Sequence, residues 1–212
     1  SRDIAGPAQA LIATLSLTGI HYYNYSSVKF AHDQMQLPFW AFTALFFYRG
    51  LVRGRALDWI LAGAMLAGAF WSKYAAFALA LSLAGFLLLD PLARRRLRTP
   101  GPYLMAAAFC VVIAPNAIWL VQSDCLPFQY VTERARIAGR WYQYLTYPIG
   151  WVVAQAFFIH PTLILLALVL FPRLRKQEQL APKASFGRRY ATLLALGPFV
   201  VVTLSAALTG RK

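Results

Sequence analysis

A short stretch near the start of the chain carries three side chains that could do chemistry together. Lys29, His32 and Asp33 lie close together in the stretch 28–35, in a chain in which only 13% of the residues are charged. A carboxylate can accept a proton from an acceptor hydroxyl, and a basic side chain can stabilise a leaving phosphate. These residue types allow proton transfer and anion binding, with Asp33 as the candidate catalytic group and Lys29 as a candidate for binding a phosphate.

Other basic side chains could hold the same phosphate. Lys73 lies between two apolar runs in Ser72-Lys73-Tyr74, and a lysine is a compact charge that suits a phosphate. Arg134 and Arg136 lie in the long polar stretch 122–146, and arginine suits bidentate phosphate contact. His32 and Tyr74 are weaker candidates, for contact with a substrate.

Each of these residues also has a plainer interpretation. Asp33 could cap a helix, Lys29 could only pair with Asp33, and Lys73 could extend along apolar surface to reach water. The arginines could be attracted by anionic lipid headgroups. His32 and Tyr74 could be interfacial side chains, as aromatic residues often are at membrane surfaces.

The composition predicts the scaffold that positions these residues. The chain has 212 residues, of which 59% are hydrophobic, and its mean hydropathy is +0.53. Membrane helices need roughly 20 mostly apolar residues, and backbone polar groups in lipid must be paired internally. We expect an all-α, polytopic transmembrane helical bundle that forms one domain over 1–212. Its spans, about seven in number, are predicted near 6–20, 37–48, 57–71, 75–89, 103–121, 147–171 and 190–208.

The distribution of positive charge decides between two classes of protein. A net charge of +14 would suggest nucleic-acid binding in a soluble protein. In a membrane protein, basic residues collect in cytoplasmic loops. With the N-terminus inside, the inner connections hold Arg2, Arg49, Arg53, Arg55, Arg94, Arg95, Arg96, Arg98, Arg173, Arg175, Lys176, Lys183, Arg188 and Arg189. The outer ones hold only Lys29, Lys73, Arg134, Arg136 and Arg140. The excess therefore predicts topology, with chemistry at the extracytoplasmic face and no nucleic acid as partner.

Small residues and prolines predict local features of the bundle. Gly63 with Ala67, and Ala64 with Gly68, are pairs of small residues that allow close helix packing. The short connection 72–74 predicts a tight hairpin between the third and fourth spans. Pro115 is expected to loosen the fifth span near its end.

Five segments together resemble a known family. They are 29–40 (KFAHDQMQLPFW), the turn Ser72-Lys73-Tyr74, the segment 98–103 (RTPGPY) with 114–120 (APNAIWL), and 124–130 (DCLPFQY). In this order they resemble bacterial glycosyltransferase family 39, which includes relatives of protein O-mannosyltransferases and of the lipid A aminoarabinose transferase. The resemblance runs over roughly the first 145 residues, and an ordered set of motifs is more specific than a single one.

The resemblance implies a GT-C-like fold and a function. It implies transfer of a sugar from a polyprenyl-phosphate carrier to a lipid, protein or glycan acceptor, at the outer face of the bacterial inner membrane. Asp33 matches a position where relatives carry a second acid, and Lys73 matches the lysine of the family turn. The family's principal catalytic Asp lies in an outer loop that should precede Ser1, so we expect an internal fragment that is inactive alone.

Two rival classes remain open at this stage, and one of them is a non-catalytic membrane scaffold. A transporter or flippase-like membrane protein without transferase chemistry would suit helices broken at Pro115 and Pro161. The sequence leaves open the need for a divalent cation, and it also leaves open the identity of the sugar and of the acceptor.

Overall fold

The protein is an assembly of helices. The computed structural model describes residues 32–129, 144–155 and 182–209, together with Leu11, Thr14 and Tyr142. Its main helices are α1 (His32–Arg53), α2 (Ala56–Ser72), α3 (Phe77–Leu89), α4 (Pro91–Arg94), α5 (Gly101–Gln122) and α6 (Pro182–Thr209). Short 3-10 turns at Tyr74–Ala76 and Arg95–Arg98 connect them, and residues 126–129 and 144–155 are also helical. No strand occurs in these described ranges, and the prediction of an all-α fold is confirmed for them.

Local sequence explains where several helices begin and end. Gly54 has a φ of +70° and ends α1, since glycine adopts this conformation without steric cost. Asp90 begins α4, because its side chain accepts hydrogen bonds from the backbone N–H groups of Leu92 and Ala93 at 2.9 and 3.1 Å. Pro91 follows at the first helical position, where no N–H is needed.

Helix α2 is the centre of the first layer, with α1 on one side and α5 on the other. A Cβ atom at Gly63 would lie 2.1 Å from the backbone oxygen of Met105 in α5, and one at Gly68 would lie 2.6 Å from the ring of Phe39 in α1. The two glycines therefore let α2 approach both neighbours closely. The predicted role of these small residues in packing is confirmed.

The predicted hairpin between the third and fourth spans is wrong. Helix α3 does not run along α2; it packs against α6. The reason is that the small-residue faces of α2 are already covered by α1 and α5. The connection at Lys73 has an extended backbone, with φ −162° and ψ 131°, and it directs the chain away from α2.

An aromatic cluster joins α6 to the rest of the bundle. The ring of Tyr190 in α6 stacks on Phe47 in α1 at 6.1 Å and meets Phe86 in α3 edge-on at 5.3 Å. Its hydroxyl donates a hydrogen bond to the backbone oxygen of Ala44 at 2.6 Å. Trp59 in α2 is almost fully buried and packs edge-on against Phe47. Each large ring removes much apolar surface from contact with water or lipid.

Several arginines that were predicted to lie in inner loops belong to the described residues. They lie at the same end of the bundle as the aromatic cluster around Tyr190. The Arg96 guanidinium donates to the backbone oxygen of Leu51 at 2.9 Å, which satisfies a carbonyl at the end of α1. Arg189, at the start of α6, forms an ion pair of 3.1 Å with Asp90. These contacts bring together the arginine-rich segments 49–55, 94–98 and 188–189, and we call this the arginine end.

Two helices are long and apolar enough to cross a membrane, namely Gly101–Gln122 and Phe186–Leu208. A third candidate is the pair Tyr74–Leu89 and Pro91–Arg98, which is bent by 85°, if it is counted as one span. Ala56–Ser72 is apolar but shorter. The chain therefore has the helices of an integral membrane protein. The predicted first span, apart from Leu11 and Thr14, and residues 156–171 of the sixth lie outside the described residues.

One helix boundary differs from the prediction. Helix α1 begins at His32, five residues before the predicted Leu37, so that Pro38 lies inside the helix. Helix α5 runs without a break through Pro115. Pro115 has no N–H to donate within this helix, and the expected loosening there stays a prediction.

Candidate functional site

The Lys73 turn lies at the end of the bundle opposite to the arginine end. Helix α2 stops there because Lys73 has an extended backbone, while its N–H still donates to the backbone oxygen of Ala69 at 2.9 Å. The carbonyl of Lys73 accepts from the N–H of Ala76 at 3.1 Å, which closes the following 3-10 turn. The side chain of Lys73 is exposed. Along α2, this cation is about 25 Å from the arginine end.

Tyr74 fixes this turn to two other segments. Its hydroxyl donates a hydrogen bond of 3.1 Å to the side-chain oxygen of Asn116 in α5. Its ring stacks on Phe128 with centroids 5.3 Å apart. Just before the turn, the indole N–H of Trp71 donates to the backbone oxygen of Val112 at 3.2 Å. The position of Lys73 is thus defined by contacts with α5 and with the segment after it.

A strained turn returns the chain after α5 toward Tyr74. Asp124 and Cys125 have φ values of +48° and +56°, a conformation that residues other than glycine adopt at some cost. The N–H of Cys125 donates to the backbone oxygen of Leu120 at 3.0 Å, and the side-chain amide of Gln129 donates to the backbone oxygen of Asp124 at 2.7 Å. These bonds hold the turn and set residues 126–129 so that Phe128 covers Tyr74.

An apolar groove lies beside this turn, between α1, α2 and α5. Its volume is about 530 Å³, and its lining residues are Met35, Phe39, Gly68, Trp71, Ser72 and Val112. The hydroxyl of Ser72 donates to the backbone oxygen of Gly68 at 3.1 Å, so its hydrogen is not available to a ligand. We call this the α1–α2–α5 groove. It places a mainly apolar surface next to the exposed cation of Lys73.

The start of α1 lies at the same end as Lys73. Phe39 faces Gly68, and Met35 and Ser72 both line the α1–α2–α5 groove, so α1 enters the bundle where α2 ends. His32 and Asp33 occupy the first turn of α1, and their side chains lie outside the described residues. The catalytic role of Asp33 stays a prediction, as does a contact of His32 with sugar or acceptor.

The remaining predicted site residues divide into two groups. Lys73 and Tyr74 lie side by side in the described turn, with Tyr74 engaged by Asn116 and Phe128. Lys29, Arg134 and Arg136 lie outside the described residues, and their binding of a phosphate stays a prediction. No three His, Cys, Asp or Glu side chains in the described part of the chain come together as a metal site.

Sequence reasoning did not include Asn116 and Phe128 in the site. A signal for Asn116 was present, because a side-chain amide inside an apolar helix needs a hydrogen-bond partner. No such signal marked Phe128, since exposed aromatic residues are frequent at the ends of membrane helices. Both residues meet Tyr74 from a distant part of the sequence.

The comparisons with known proteins give one family. A family model described as dolichyl-phosphate-mannose-protein mannosyltransferase matches residues 1–119, which is more than half of the 212-residue chain. The match covers α1, α2, α3 and most of α5, including the Lys73 turn and Asn116. No curated protein and no solved structure matches the chain.

Proposed function

The chain belongs to the dolichyl-phosphate-mannose-protein mannosyltransferase family, and on this premise we propose that it is part of a polyprenyl-phosphate-dependent membrane glycosyltransferase. The enzyme moves a sugar from a polyprenyl-phosphate carrier to a lipid, protein or glycan acceptor at the extracytoplasmic face. The family description names mannose, dolichyl phosphate and protein. For this chain we keep the sugar, the carrier and the acceptor at the level of their chemical class.

One observation carries the proposal: the exposed cation of Lys73 lies beside the apolar α1–α2–α5 groove, at the end of the bundle where α1 begins and Asp33 lies in its first turn. A polyprenyl-phosphate donor combines an apolar chain with a charged phosphate. The groove volume of about 530 Å³ falls within the range of about 300–1,000 Å³ that is usual for ligand sites. Met35, Phe39 and Val112 would contact the first part of the chain, and Lys73 would contact the phosphate.

The chemistry needs two groups in different roles. As the bond between sugar and phosphate breaks, negative charge develops on the phosphate, and the Lys73 ammonium stabilises it. The acceptor hydroxyl must lose a proton, and Asp33 is the residue that we assign to accept or orient it. Lys29, Arg134 and Arg136 would add positive charge at the phosphate, with His32 and Tyr74 at the sugar or the acceptor. A divalent cation remains open as a cofactor.

The proposed architecture is a GT-C-like bundle with about seven spans, in the bacterial inner membrane. The arginine end would face the cytoplasm and the Lys73 end the outer face, because basic residues are retained on the cytoplasmic side. The separation of Arg96 and Arg189 from Lys73 along α2 and α3 supports this orientation.

The alternative function is that of a transporter or flippase-like protein, which would be supported by helices broken at Pro115 and Pro161. Helix α5 is continuous through Pro115, and Pro161 lies outside the described residues. The described part of the chain therefore gives the rival no broken helix at Pro115.

A reconstitution experiment separates the two functions. The full-length protein is placed in proteoliposomes that contain a polyprenyl-phosphate sugar labelled in the sugar, with extract from cells that lack the protein as the source of acceptors. The transferase releases polyprenyl phosphate and moves the label to an acceptor. If the label stays on its lipid carrier but crosses the bilayer faster than in empty vesicles, the protein is a flippase and the proposal fails.

A further inference from the structure

A second apolar groove lies between α3 and α6, away from the Lys73 turn. Its volume is about 500 Å³, and its lining includes Ser82 and Gly85 from α3 and Arg188, Arg189, Gly197 and Val201 from α6. The rise of 1.5 Å per helical residue makes the distance from Arg188 to Val201 about 20 Å. This length is similar to one leaflet of the hydrocarbon core, which is about 15 Å thick. We call this the α3–α6 groove.

Two glycines determine the shape of the α3–α6 groove. At Gly197 the helices touch, since a Cβ atom there would lie 2.5 Å from the hydroxyl oxygen of Ser82. At Gly85, one turn closer to the arginine end, a Cβ atom would meet nothing within 4 Å. The groove is therefore open at Gly85 and closed at its floor by the contact of Ser82 with Gly197. The described neighbours therefore leave open space beside α3 at Gly85.

Arginines stand at one end of this groove, and one of them is held in place. Arg189 pairs with the carboxylate of Asp90 at 3.1 Å, and its guanidinium carbon lies 5.9 Å from the ring centre of Phe186. Asp90 itself is buried and bound to the N–H groups at the start of α4. A guanidinium has five N–H donors, so Arg189 keeps donors for a further ligand. Arg188 is exposed next to it and gives the group one net positive charge.

We propose that the α3–α6 groove binds one acyl chain of a phospholipid with an anionic headgroup, whose phosphate is bound by Arg188 and Arg189. The groove is apolar along its length and has two arginines at one end. A phospholipid has the matching arrangement of an apolar acyl chain and a charged headgroup at one end. The net charge favours an anionic over a zwitterionic headgroup, because basic groups between membrane helices attract anionic lipids. The site does not depend on the proposed transferase reaction. With the arginine end in the cytoplasm, as proposed above, the site lies in the cytoplasmic leaflet. Only this assignment rests on the proposed orientation.

The test measures lipid retained by the full-length protein. The protein is purified in detergent, incubated with equal amounts of phosphatidylglycerol and phosphatidylcholine, and analysed by native mass spectrometry. We expect phosphatidylglycerol to be retained at least fivefold over phosphatidylcholine. Gly85→Phe fills the groove and Arg188→Gln removes the charge of Arg188, and each is expected to reduce retained phosphatidylglycerol at least fivefold. Gly150→Phe is the matched control, because a Cβ atom at Gly150 also meets nothing within 4 Å.

Three results would overturn the proposal. One is equal retention of the two lipids by the unmodified protein. Another is retention of phosphatidylglycerol by Gly85→Phe at the level of Gly150→Phe. If the melting temperature of Gly85→Phe also falls, another segment of this chain fills the groove. The last is unchanged retention by Arg188→Gln. Arg188 is exposed and its replacement leaves Gly85 in place, so this variant decides the question even if Gly85→Phe fails to fold.

Discussion

The hydroxyl of Tyr74 donates a hydrogen bond to the side-chain oxygen of Asn116, with 3.1 Å between the two oxygen atoms. The residues are 42 positions apart in the sequence and belong to different helical segments. The bond ties the turn that presents Lys73 to α5, and Phe128 covers the same ring from its face. The bond from the indole N–H of Trp71 to the backbone oxygen of Val112 is a third contact next to this turn. Lys73 therefore lies in a turn that is held by three contacts.

Lys73→Ala tests the phosphate contact. Because Lys73 is exposed, water and salt partly screen its attraction for a phosphate, and we expect a loss of about 1–2 kcal/mol. Affinity for the polyprenyl-phosphate donor and kcat/KM should each fall about 5- to 30-fold. Lys73→Arg retains the charge and should recover part of the loss. Unchanged turnover together with unchanged donor affinity would remove Lys73 from the site.

Asp33→Asn tests the acid–base role. A general base contributes about 10²–10⁴ to the rate, so kcat should fall at least a hundredfold while KM for the donor stays near its normal value. Asp124→Asn is the matched control at the same end of the bundle, because asparagine tolerates the positive φ of that position. If kcat of Asp33→Asn equals that of Asp124→Asn, Asp33 is not the base.

The bond between Tyr74 and Asn116 is tested by a double-mutant cycle. Tyr74→Phe and Asn116→Ala each remove one partner, and each should lower kcat/KM by about 0.5–1.5 kcal/mol, or 2- to 12-fold. The double variant should be no worse than the more impaired single variant, because both lose the same bond. Tyr103→Phe is the control, since it removes a similar bond to the backbone oxygen of Leu97 at the arginine end. Simple additivity in kcat/KM would show that the bond does not position Lys73.

The orientation is tested with single-cysteine variants of the full-length protein. Cys125 is exposed at the Lys73 end, and a maleimide that does not cross membranes should label it in intact cells. A cysteine introduced by Arg98→Cys at the arginine end should be labelled only after the cells are permeabilised. The reverse pattern would place the Lys73 turn in the cytoplasm and would contradict transfer at the outer face.

Gly63→Ala tests the contact between α2 and α5. The new methyl group would lie 2.1 Å from the backbone oxygen of Met105, and a backbone atom cannot move aside as a side chain can. Overpacking of this kind costs about 1–3 kcal/mol, and the melting temperature in detergent should fall. Gly150→Ala, with open space around it, should be neutral or stabilising because alanine is the better helix former. Equal melting temperatures of the two variants would show that α2 and α5 do not touch at Gly63.

Much of the fold could be predicted because its causes are local. The runs that become α2 and α5 are apolar over nearly their full length, and their predicted ends at 57–71 and 103–121 agree with the helices to within two residues. The start of α1 was predicted too late, because Asp33, Gln34 and Gln36 are polar although they belong to the helix. Polarity separates membrane from water, and it does not by itself mark the end of a helix.

The candidate site could be predicted only in part. Lys73 and Tyr74 were visible as a polar turn between apolar runs, but the partners of Tyr74 were not. Nothing in the sequence shows that Asn116 in α5 lies opposite Tyr74, or that the strained turn at Asp124 returns Phe128 onto its ring. The pairing of helices also escaped prediction, since the short connection at Lys73 indicated a hairpin that does not form.

The sequence by itself determined that this chain is helical, that it has the apolar segments of a membrane protein and that it belongs to a mannosyltransferase family. Composition, periodicity and ordered motifs suffice for these conclusions, because each is a property of neighbouring residues or of their order. Only the tertiary structure decided which faces meet: Gly63 against α5, Gly68 against Phe39, and Asp90 against Arg189. Those pairings depend on the fit of surfaces from distant parts of the chain, and that fit exists only once the helices are assembled.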